Sequence, residues 1–321
     1  MEGSYGGATR FNIEGIKERA SIKDCELVLK SGYSSRIDLD AFRDIYPGAE
    51  VDRDKQWAEG LKKKLAERDR LEGKELVYAA IRSDALETLI VDQAEMNNWF
   101  GENSFLTRTS EYDDKNNHVD AILEFAVEGE DGEVAKRLAL AIDTTMASSK
   151  SNNVVNDNIE KNIEAVKYDR TTVKYFESQV DNYKGRLRHV LPVVVGVDMT
   201  NSDDLISLAA SMAKLESTIR DPKAIVNKEN LKINLTKAKK EMLDHPAQLL
   251  FLEEIKAQLE MYAGLGIYKD NEQLMSILET INGVLDDKQD LAERTICHDM
   301  KRNDRTYNQI IDKCQTRLDA R

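Results

Sequence analysis

Two aspartates at the ends of neighbouring segments are the residues of this sequence best suited to chemistry. Asp120 opens an apolar segment at residues 118–127, and Asp143 closes the next one at 137–145. If these segments are adjacent antiparallel strands, the two carboxylates come within a few ångströms of each other. Converging hard oxygens suit Mg²⁺ or Mn²⁺, ions that hold phosphate oxygens and activate water. We therefore predict a divalent-metal site with Asp120 and Asp143 as ligands.

The sequence around this pair is acidic. Between residues 105 and 150 there are ten Asp or Glu residues and five Lys or Arg residues. Such an excess of negative charge repels itself unless a cation is present. We assign the acids at residues 128–133 to a solvated turn. Asp113 and Asp114 are further candidates for the site, and Asp114 is our choice of third metal ligand.

The elements that must position these residues form a small α/β unit. Residues 118–127 and 137–145 are predicted strands joined by a turn with an Asp-Gly step, and 105–110 is a candidate preceding strand. Residues 191–198 (LPVVVGVD) form an apolar run typical of a strand buried on both faces. Helices are predicted before the hairpin and after it, at 83–100 and 152–170. The predicted order is helix, strands with a hairpin, helix, strand.

Helical segments flank this unit on both sides. Only 4 of the 321 residues are proline, which favours long helices. The flanking helices are predicted at 52–72, 203–220, 244–263, 271–286 and 290–318. We divide the chain into a flexible and helical N-terminal region (1–82), an α/β core (83–200) and a C-terminal helical region (201–321). The C-terminal region suits a bundle, a lid or a dimer surface.

Composition limits the classes of function. The chain has 46 Lys and Arg against 59 Asp and Glu, a net charge of −13. This argues against a general nucleic-acid coat or an anionic-membrane binder, but not against an enzyme that meets nucleic acid locally. No apolar run approaches the ~18–20 residues of a membrane span, and the N-terminus lacks the apolar stretch of a secretory signal. Three cysteines without a CxxC pattern argue against a disulfide framework or a zinc site. We expect a cytoplasmic protein with reduced thiols.

The order of elements and the positions of the acids resemble the PD-(D/E)XK nuclease superfamily. In that superfamily a helix with a glutamate precedes a three-stranded meander, a helix and a further strand. An Asp begins the second strand, and an acid-x-Lys triplet lies on the third. Here Asp120, in NHVD, matches the first acid and Asp143 the acid of the triplet. Glu95, or alternatively Glu87, matches the helical glutamate.

The resemblance covers about a third of the chain, roughly residues 83–198. It implies a restriction-endonuclease-like core and hydrolysis of phosphodiester bonds that depends on Mg²⁺ or Mn²⁺. Nucleic acid is then the expected partner, with DNA favoured over RNA and no membrane involved. The whole chain, including NHVDAILEF and HPAQLLFLEEIKAQLE, also resembles a group of uncharacterised proteins of small-genome bacteria, which implies no activity.

One position departs from the superfamily pattern. Asp143 is followed by Thr144 and Thr145, so a threonine occupies the lysine position of the triplet. Some members carry this lysine on the following helix, and Lys150, Lys161 and Lys167 are the candidates here. Lys161 and Lys167 differ by about 240° around a helix, so only one of them can point inward. We choose Lys150 and Lys161.

The missing lysine leaves two alternatives open. The first is an inactive nuclease fold that acts as a binding or assembly module, with homo-oligomers formed through the C-terminal helices. The second is a helical adaptor, which requires the α/β interpretation to be wrong. Two weaker patterns remain. A QxxxY at Gln258 and Tyr262 is interpreted as a coincidence. The basic stretch at 184–189 has two interpretations, a contact with a phosphate backbone and a solvated loop, and we choose the loop.

Overall fold

A four-stranded mixed sheet organises the fold. The computed structural model describes residues 20–128, 134–147, 154–223 and 227–320. The strands are β1 (Ser104–Arg108), β2 (Ala121–Glu128), β3 (Val134–Thr145), β4 (Thr172–Glu177), β5 (Lys184–Arg188) and β6 (Leu191–Gly196). The order in the main sheet is β1-β2-β3-β6, and β4 pairs with β5 in a separate hairpin.

Helices make up most of the remaining chain. Those before β3 are α1 (Ile22–Ser31), α2 (Gly48–Glu72), α3 (Lys74–Asn97) and α4 (Glu111–Asn117), with a 3₁₀ helix at Leu39–Phe42. Those after β3 are α5 (Val154–Lys167), α6 (Met199–Arg220), α7 (Lys228–Leu243), α8 (Ala247–Leu265), α9 (Asn271–Asp287), α10 (Gln289–Ala292), α11 (Thr295–Asn303) and α12 (Arg305–Asp319). The predicted α/β class is confirmed as a mixed α/β fold with a long helical C-terminal region.

Strand alternation gives the sheet two different faces. β1, β2 and β3 are antiparallel, and β6 runs parallel to β3. Because successive side chains point to opposite faces, Leu123 and Phe125 enter the main core while Ile122 faces the other way. On this second face, Ile122 packs with Phe176 and Leu187 of the β4–β5 hairpin.

The β4–β5 hairpin was not predicted, and the interpretation of 184–189 as a loop is wrong. β4 is short, and its pairing shifts register between Val173 and Phe176. Asp113, at the start of α4, accepts hydrogen bonds from the backbone N–H groups of Lys174 (2.7 Å) and Tyr175 (3.0 Å) at that irregularity. This support comes from about sixty residues away, so no local pattern in 172–188 reveals it.

Helix α8 covers the outer edge of β6. Three side chains spaced four residues apart on α8 bond the backbone of alternate residues of β6. Four helical residues rise about 6.0 Å and two strand residues about 6.6 Å, so the two spacings nearly match. The contacts are Gln258 Oε1 with Val194 N (2.9 Å), Gln258 Nε2 with Val194 O (2.7 Å), Glu254 Oε2 with Gly196 N (2.9 Å) and Tyr262 OH with Pro192 O (2.8 Å). These bonds give partners to outward backbone groups of Pro192, Val194 and Gly196 on this edge strand.

The C-terminal region differs from its prediction in two respects. The segment at 290–318 contains parts of three helices, and Asp304 separates the last two, since it ends α11 and caps α12 by accepting from Tyr307 N (2.9 Å). Helix α7 was not predicted.

The boundaries expected at 82/83 and 200/201 fall inside α3 and α6. One hydrophobic core joins residues from all three regions, from Ala20 to Cys314.

Among the described residues, no helix is long and apolar enough to cross a membrane. The turn predicted at 128–133 and the candidate Lys150 lie largely or wholly outside the described residues.

Candidate functional site

Asp120 and Asp143 meet where β2 begins and β3 ends. The β2–β3 register pairs Ala121 with Ile142, so its continuation sets Asp120 opposite Asp143. The backbone confirms this approach: Asp120 N donates to Ile142 O (2.9 Å), and Asp120 Oδ2 accepts from Thr144 N (2.7 Å). The predicted juxtaposition of the two strand-end acids is therefore present.

The electrostatic surroundings of this pair oppose negative charge. Burial, followed by the negative charges of Glu87, Asp143 and Asp114, holds the pKa of Asp120 well above its usual value. Burial also raises the pKa of Asp143 to about 7, although the nearby Lys161 ammonium acts in the opposite direction. Ionising both carboxylates together is therefore unfavourable unless a cation joins them.

Glu87 is the helical glutamate that reaches this region. It lies on α3, where it is 6% exposed, and its carboxylate interacts electrostatically with Asp120 and Asp143. Two guanidinium groups hold it: Arg108 Nε donates to Oε1 and Arg36 Nη2 to Oε2, each at 3.0 Å. Burial raises the pKa of Glu87, and the two arginines oppose that shift.

Asp114 joins the same cluster through Arg36. The Arg36 Nη1 lies 2.9 Å from Asp114 Oδ2, so one guanidinium links Asp114 to Glu87. Lys115 also contacts the Asp114 carboxylate, at 3.1 Å. We use the name acid cluster for Glu87, Asp114, Asp120 and Asp143.

The arginines of the acid cluster were missed at the level of sequence. Arg108 has a local signal, since it lies two residues after the buried Leu106 and therefore on the same face of β1. Arg36 has none, because it follows α1 and is brought in by tertiary contacts. Asp92 on α3 accepts from the backbone of this segment, at Ser34 N (2.9 Å) and Tyr33 N (3.2 Å).

Glu95 and Asp113 lie in other surroundings. Glu95 is two turns beyond Glu87 on α3, is exposed, and accepts from Leu106 N on β1 (3.0 Å). Asp113 is fully buried and bonded by Ser110, Asn117 and the β4 backbone. The structure brings Glu87, not Glu95, to the aspartate pair, and it gives Asp113 a role in the fold.

Lys161 is the described candidate lysine that acts on Asp143. It projects from α5, is exposed, and favours the ionised form of Asp143. Lys167 lies further along α5, with its Nζ 5.4 Å from the ring centroid of Tyr168. Thr145 is buried (6% exposed), and its carbonyl lies so close to Gly196 that a Cβ there would come within 2.0 Å of the oxygen. The close approach of β3 and β6 thus requires glycine at 196.

The aspartate pair supplies two carboxylate ligands for a divalent ion, but the described residues add no third protein ligand of the same kind. Across the described ranges, no group of three or more His, Cys, Asp or Glu side chains is arranged to hold a metal ion. Mg²⁺, however, is commonly held by one or two carboxylates, with water and substrate phosphate completing its coordination. Asp120 and Asp143 supply those two carboxylates, whereas Glu87 and Asp114 are committed to arginine and lysine partners.

Comparison of the chain with protein-family models, with curated proteins and with solved structures gives no match.

Proposed function

We propose that this protein is a metal-dependent nuclease that hydrolyses phosphodiester bonds in nucleic acid, with DNA favoured as the substrate. The observation that carries the proposal is the approach of Asp120 and Asp143 at the ends of adjacent strands. The order α3, β1-β2-β3, α5 and parallel β6, with Glu87 on the first helix, agrees with the PD-(D/E)XK resemblance.

In this proposal two residues would hold the metal ion, and others fix the orientation of the side chains around it. Asp120 and Asp143 would hold Mg²⁺ or Mn²⁺, which when bound supplies charge for a phosphate and lowers the pKa of a water molecule. Thr144 N fixes the orientation of Asp120 through its hydrogen bond of 2.7 Å. Arg36 and Arg108 fix the orientation of Glu87 at the border of the site.

Lys161 takes the place of the triplet lysine in this proposal. Its ammonium favours ionised Asp143, and a cation there also stabilises the negative charge that develops on a phosphate under attack. Hydrolysis joins the water oxygen to phosphorus, breaks one P–O ester bond, and leaves a proton on the departing oxygen. Lys150 remains a second candidate for the same role.

A cleavage assay with matched variants tests the proposal. Plasmid, linear duplex, single-stranded DNA and RNA are incubated with Mg²⁺, with Mn²⁺ and with EDTA. Asp120→Asn and Asp143→Asn are each expected to reduce cleavage by at least about a hundredfold, because each removes a metal ligand and a charge. Glu124→Gln is the control, since Glu124 is a buried acid of β2 that bonds Ser178 and Gln179 instead.

The role of Lys161 is tested with a control variant at Lys167 on the same helix, α5. Lys161→Ala is expected to lower cleavage, whereas Lys167→Ala leaves it unchanged because Lys167 lies on another face of α5. Retained cleavage in both aspartate variants, or equal loss in Glu124→Gln, would refute the assignment of the site.

A second candidate function is a binding or assembly module on an inactive nuclease fold. It is favoured by the buried Thr145 at the lysine position and by the engagement of Glu87 with two arginines. This candidate predicts no cleavage of any substrate, no thermal shift with Mn²⁺, and an oligomer in light scattering. A monomer that is stabilised by Mn²⁺ would exclude it.

A further inference from the structure

A cavity of about 380 Å³ opens at a different place from the acid cluster. It lies between the start of β6, the end of α5 and the loop that joins α8 to α9. This volume is within the range of small-molecule sites. Ala139 of β3 lines it, four residues before Asp143, which corresponds to about 13 Å along the strand. Neither Asp120 nor Asp143 is among its lining residues.

The wall of the cavity carries more positive than negative groups. Arg137, Arg188 and Lys269 face two carboxylates, Asp169 and Asp270, on a chain whose net charge is −13. Both carboxylates have partners inside the protein: Asp169 contacts His189 and lies 4.0 Å from Lys269, and Asp270 caps α9. Arg137 is paired with Asp181 (2.9 Å), whereas the Arg188 guanidinium is exposed and, within the described residues, makes no hydrogen bond or ion pair. An anion entering the cavity therefore meets one guanidinium, that of Arg188, that has no partner among the described residues.

His189 adds an oriented ring nitrogen to this wall. Its Nδ1 lies 2.5 Å from Asp169 Oδ1, a contact that fixes the ring and leaves Nε2 without a hydrogen-bond partner in the described part of the chain. Tyr268 OH donates to the His189 carbonyl (3.0 Å) and secures the backbone. His189 has a left-handed backbone, φ 59°, which costs a non-glycine residue about 1–2 kcal/mol. These contacts hold the imidazole in place despite that cost.

We propose that this cavity binds a small phosphate ester. The phosphate lies among Arg188, His189 and Lys269: the two cations donate to its acceptor oxygens, and Nε2 of His189 accepts from a phosphate hydroxyl or, when the ring carries both protons, donates to a phosphate oxygen. The organic part lies along the apolar wall formed by Val166 and Leu187, both buried. The cavity is distant from the acid cluster, so the proposal stands whether or not the protein is a nuclease.

Calorimetric titration with matched arginine variants tests this site. The probes are inorganic phosphate, AMP and succinate, added to the full chain. AMP is expected to bind saturably and more tightly than phosphate or succinate, since it alone offers both a phosphate and an organic part of suitable size. Arg188→Ala is expected to weaken AMP binding about tenfold, the typical loss of a charge-assisted contact. Arg186→Ala is the control, because Arg186 lies on the same exposed face of β5 but does not line the cavity.

A histidine variant and an acid-cluster variant complete the design. Asparagine tolerates a left-handed backbone but lacks the imidazole. The variant His189→Asn is therefore expected to fold normally and to bind AMP more weakly. Asp120→Asn is expected to bind AMP as the wild type does. The proposal is overturned if AMP shows no saturation up to about 10 mM, or if both arginine variants lose binding equally. Succinate binding as tight as AMP, or binding of an oligonucleotide but not of AMP, would also overturn it.

Discussion

At the scale of single residues, Asp113 and Asp120 lie in the same acidic stretch but have opposite surroundings. Asp113 accepts hydrogen bonds from four groups, two of them on the distant β4 backbone. Asp120 accepts one from Thr144 N and faces other carboxylates. The strand-end position of Asp120 was visible in the sequence, whereas the partners of Asp113 were not. Residue type and local pattern therefore identified the aspartate pair but could not separate Asp113, which supports the fold, from the members of the acid cluster.

The choice between Glu87 and Glu95 shows the same limit. Both lie on α3, and the sequence offers no reason to prefer the one two turns nearer its middle. The choice depends on Arg36 and Arg108, which hold Glu87 from other elements, and on the edge of β1, which occupies Glu95. Such tertiary contacts leave no periodic signal in the sequence.

Glu254 allows a prediction about pH at this scale. It is 0% exposed, its Oε1 has no hydrogen-bond partner among the described residues, and burial holds its pKa well above the ordinary value of 4.5. Above pH 4.5 the carboxyl ionises in the unfolded chain but stays protonated in the folded protein. The wild type therefore loses about 1.4 kcal/mol of unfolding free energy per pH unit through this group, up to its folded pKa.

Glu254→Gln removes that dependence, because glutamine is neutral at every pH and can still accept from Gly196 N. The variant is expected to match the wild type in unfolding free energy near pH 4.5 and to exceed it increasingly between pH 5 and 7. Urea titrations of both proteins across this range measure the difference. A difference that stays constant with pH would contradict the assignment of a neutral Glu254.

At the scale of elements, hydrophobic patterning located the strands and helices that position the acid cluster. β2, β3, β6, α3 and α5 overlap their predicted ranges, since each carries a clear apolar pattern. β4, β5, α4 and α7 were missed. β4 and β5 depend on Asp113 and on the Ile122 face of the sheet, and α7 has only one buried residue, Met242. Elements that rely on distant support are thus the ones that the sequence concealed.

The contact between α8 and β6 gives a prediction at this scale. Gln258 satisfies both the N–H and the carbonyl of Val194, whereas Tyr262 satisfies one carbonyl. Gln258→Leu leaves two buried backbone groups unpaired and is expected to cost about 2–5 kcal/mol of unfolding free energy. Tyr262→Phe leaves one and is expected to cost about 1–2 kcal/mol. Denaturant titration measures both, and an equal loss in the two variants would refute the stronger role of Gln258.

At the scale of the whole molecule, one hydrophobic core includes residues from α1, the central sheet and α12. Hydrophobic residues make up 41% of the sequence, which is enough for a core, but this composition does not indicate that the flanking regions share it. A shared core is expected to unfold as one cooperative unit.

Two tryptophans make this expectation measurable. Trp99 is buried against Phe251 of α8, and Trp57 is partly exposed on α2 beside Tyr112. In Trp57→Phe, fluorescence reports Trp99 alone, and its unfolding midpoint is expected to coincide with that of far-ultraviolet circular dichroism. Trp99→Phe gives the corresponding measurement for Trp57. Separate midpoints would show that the regions unfold independently.

The three side chains of α8 that bond the backbone of β6 also prevent this edge strand from pairing with a strand of another copy of the chain. An uncovered edge strand with its N–H and carbonyl groups free is a template for pairing with another chain, and β6 is buried along its whole length and apolar, with no charged residue to oppose that pairing. A chain cut before α8 would keep every member of the acid cluster but would expose this strand. We expect such a fragment to aggregate through intermolecular strand addition, so α8 keeps this edge of the sheet from pairing with another chain.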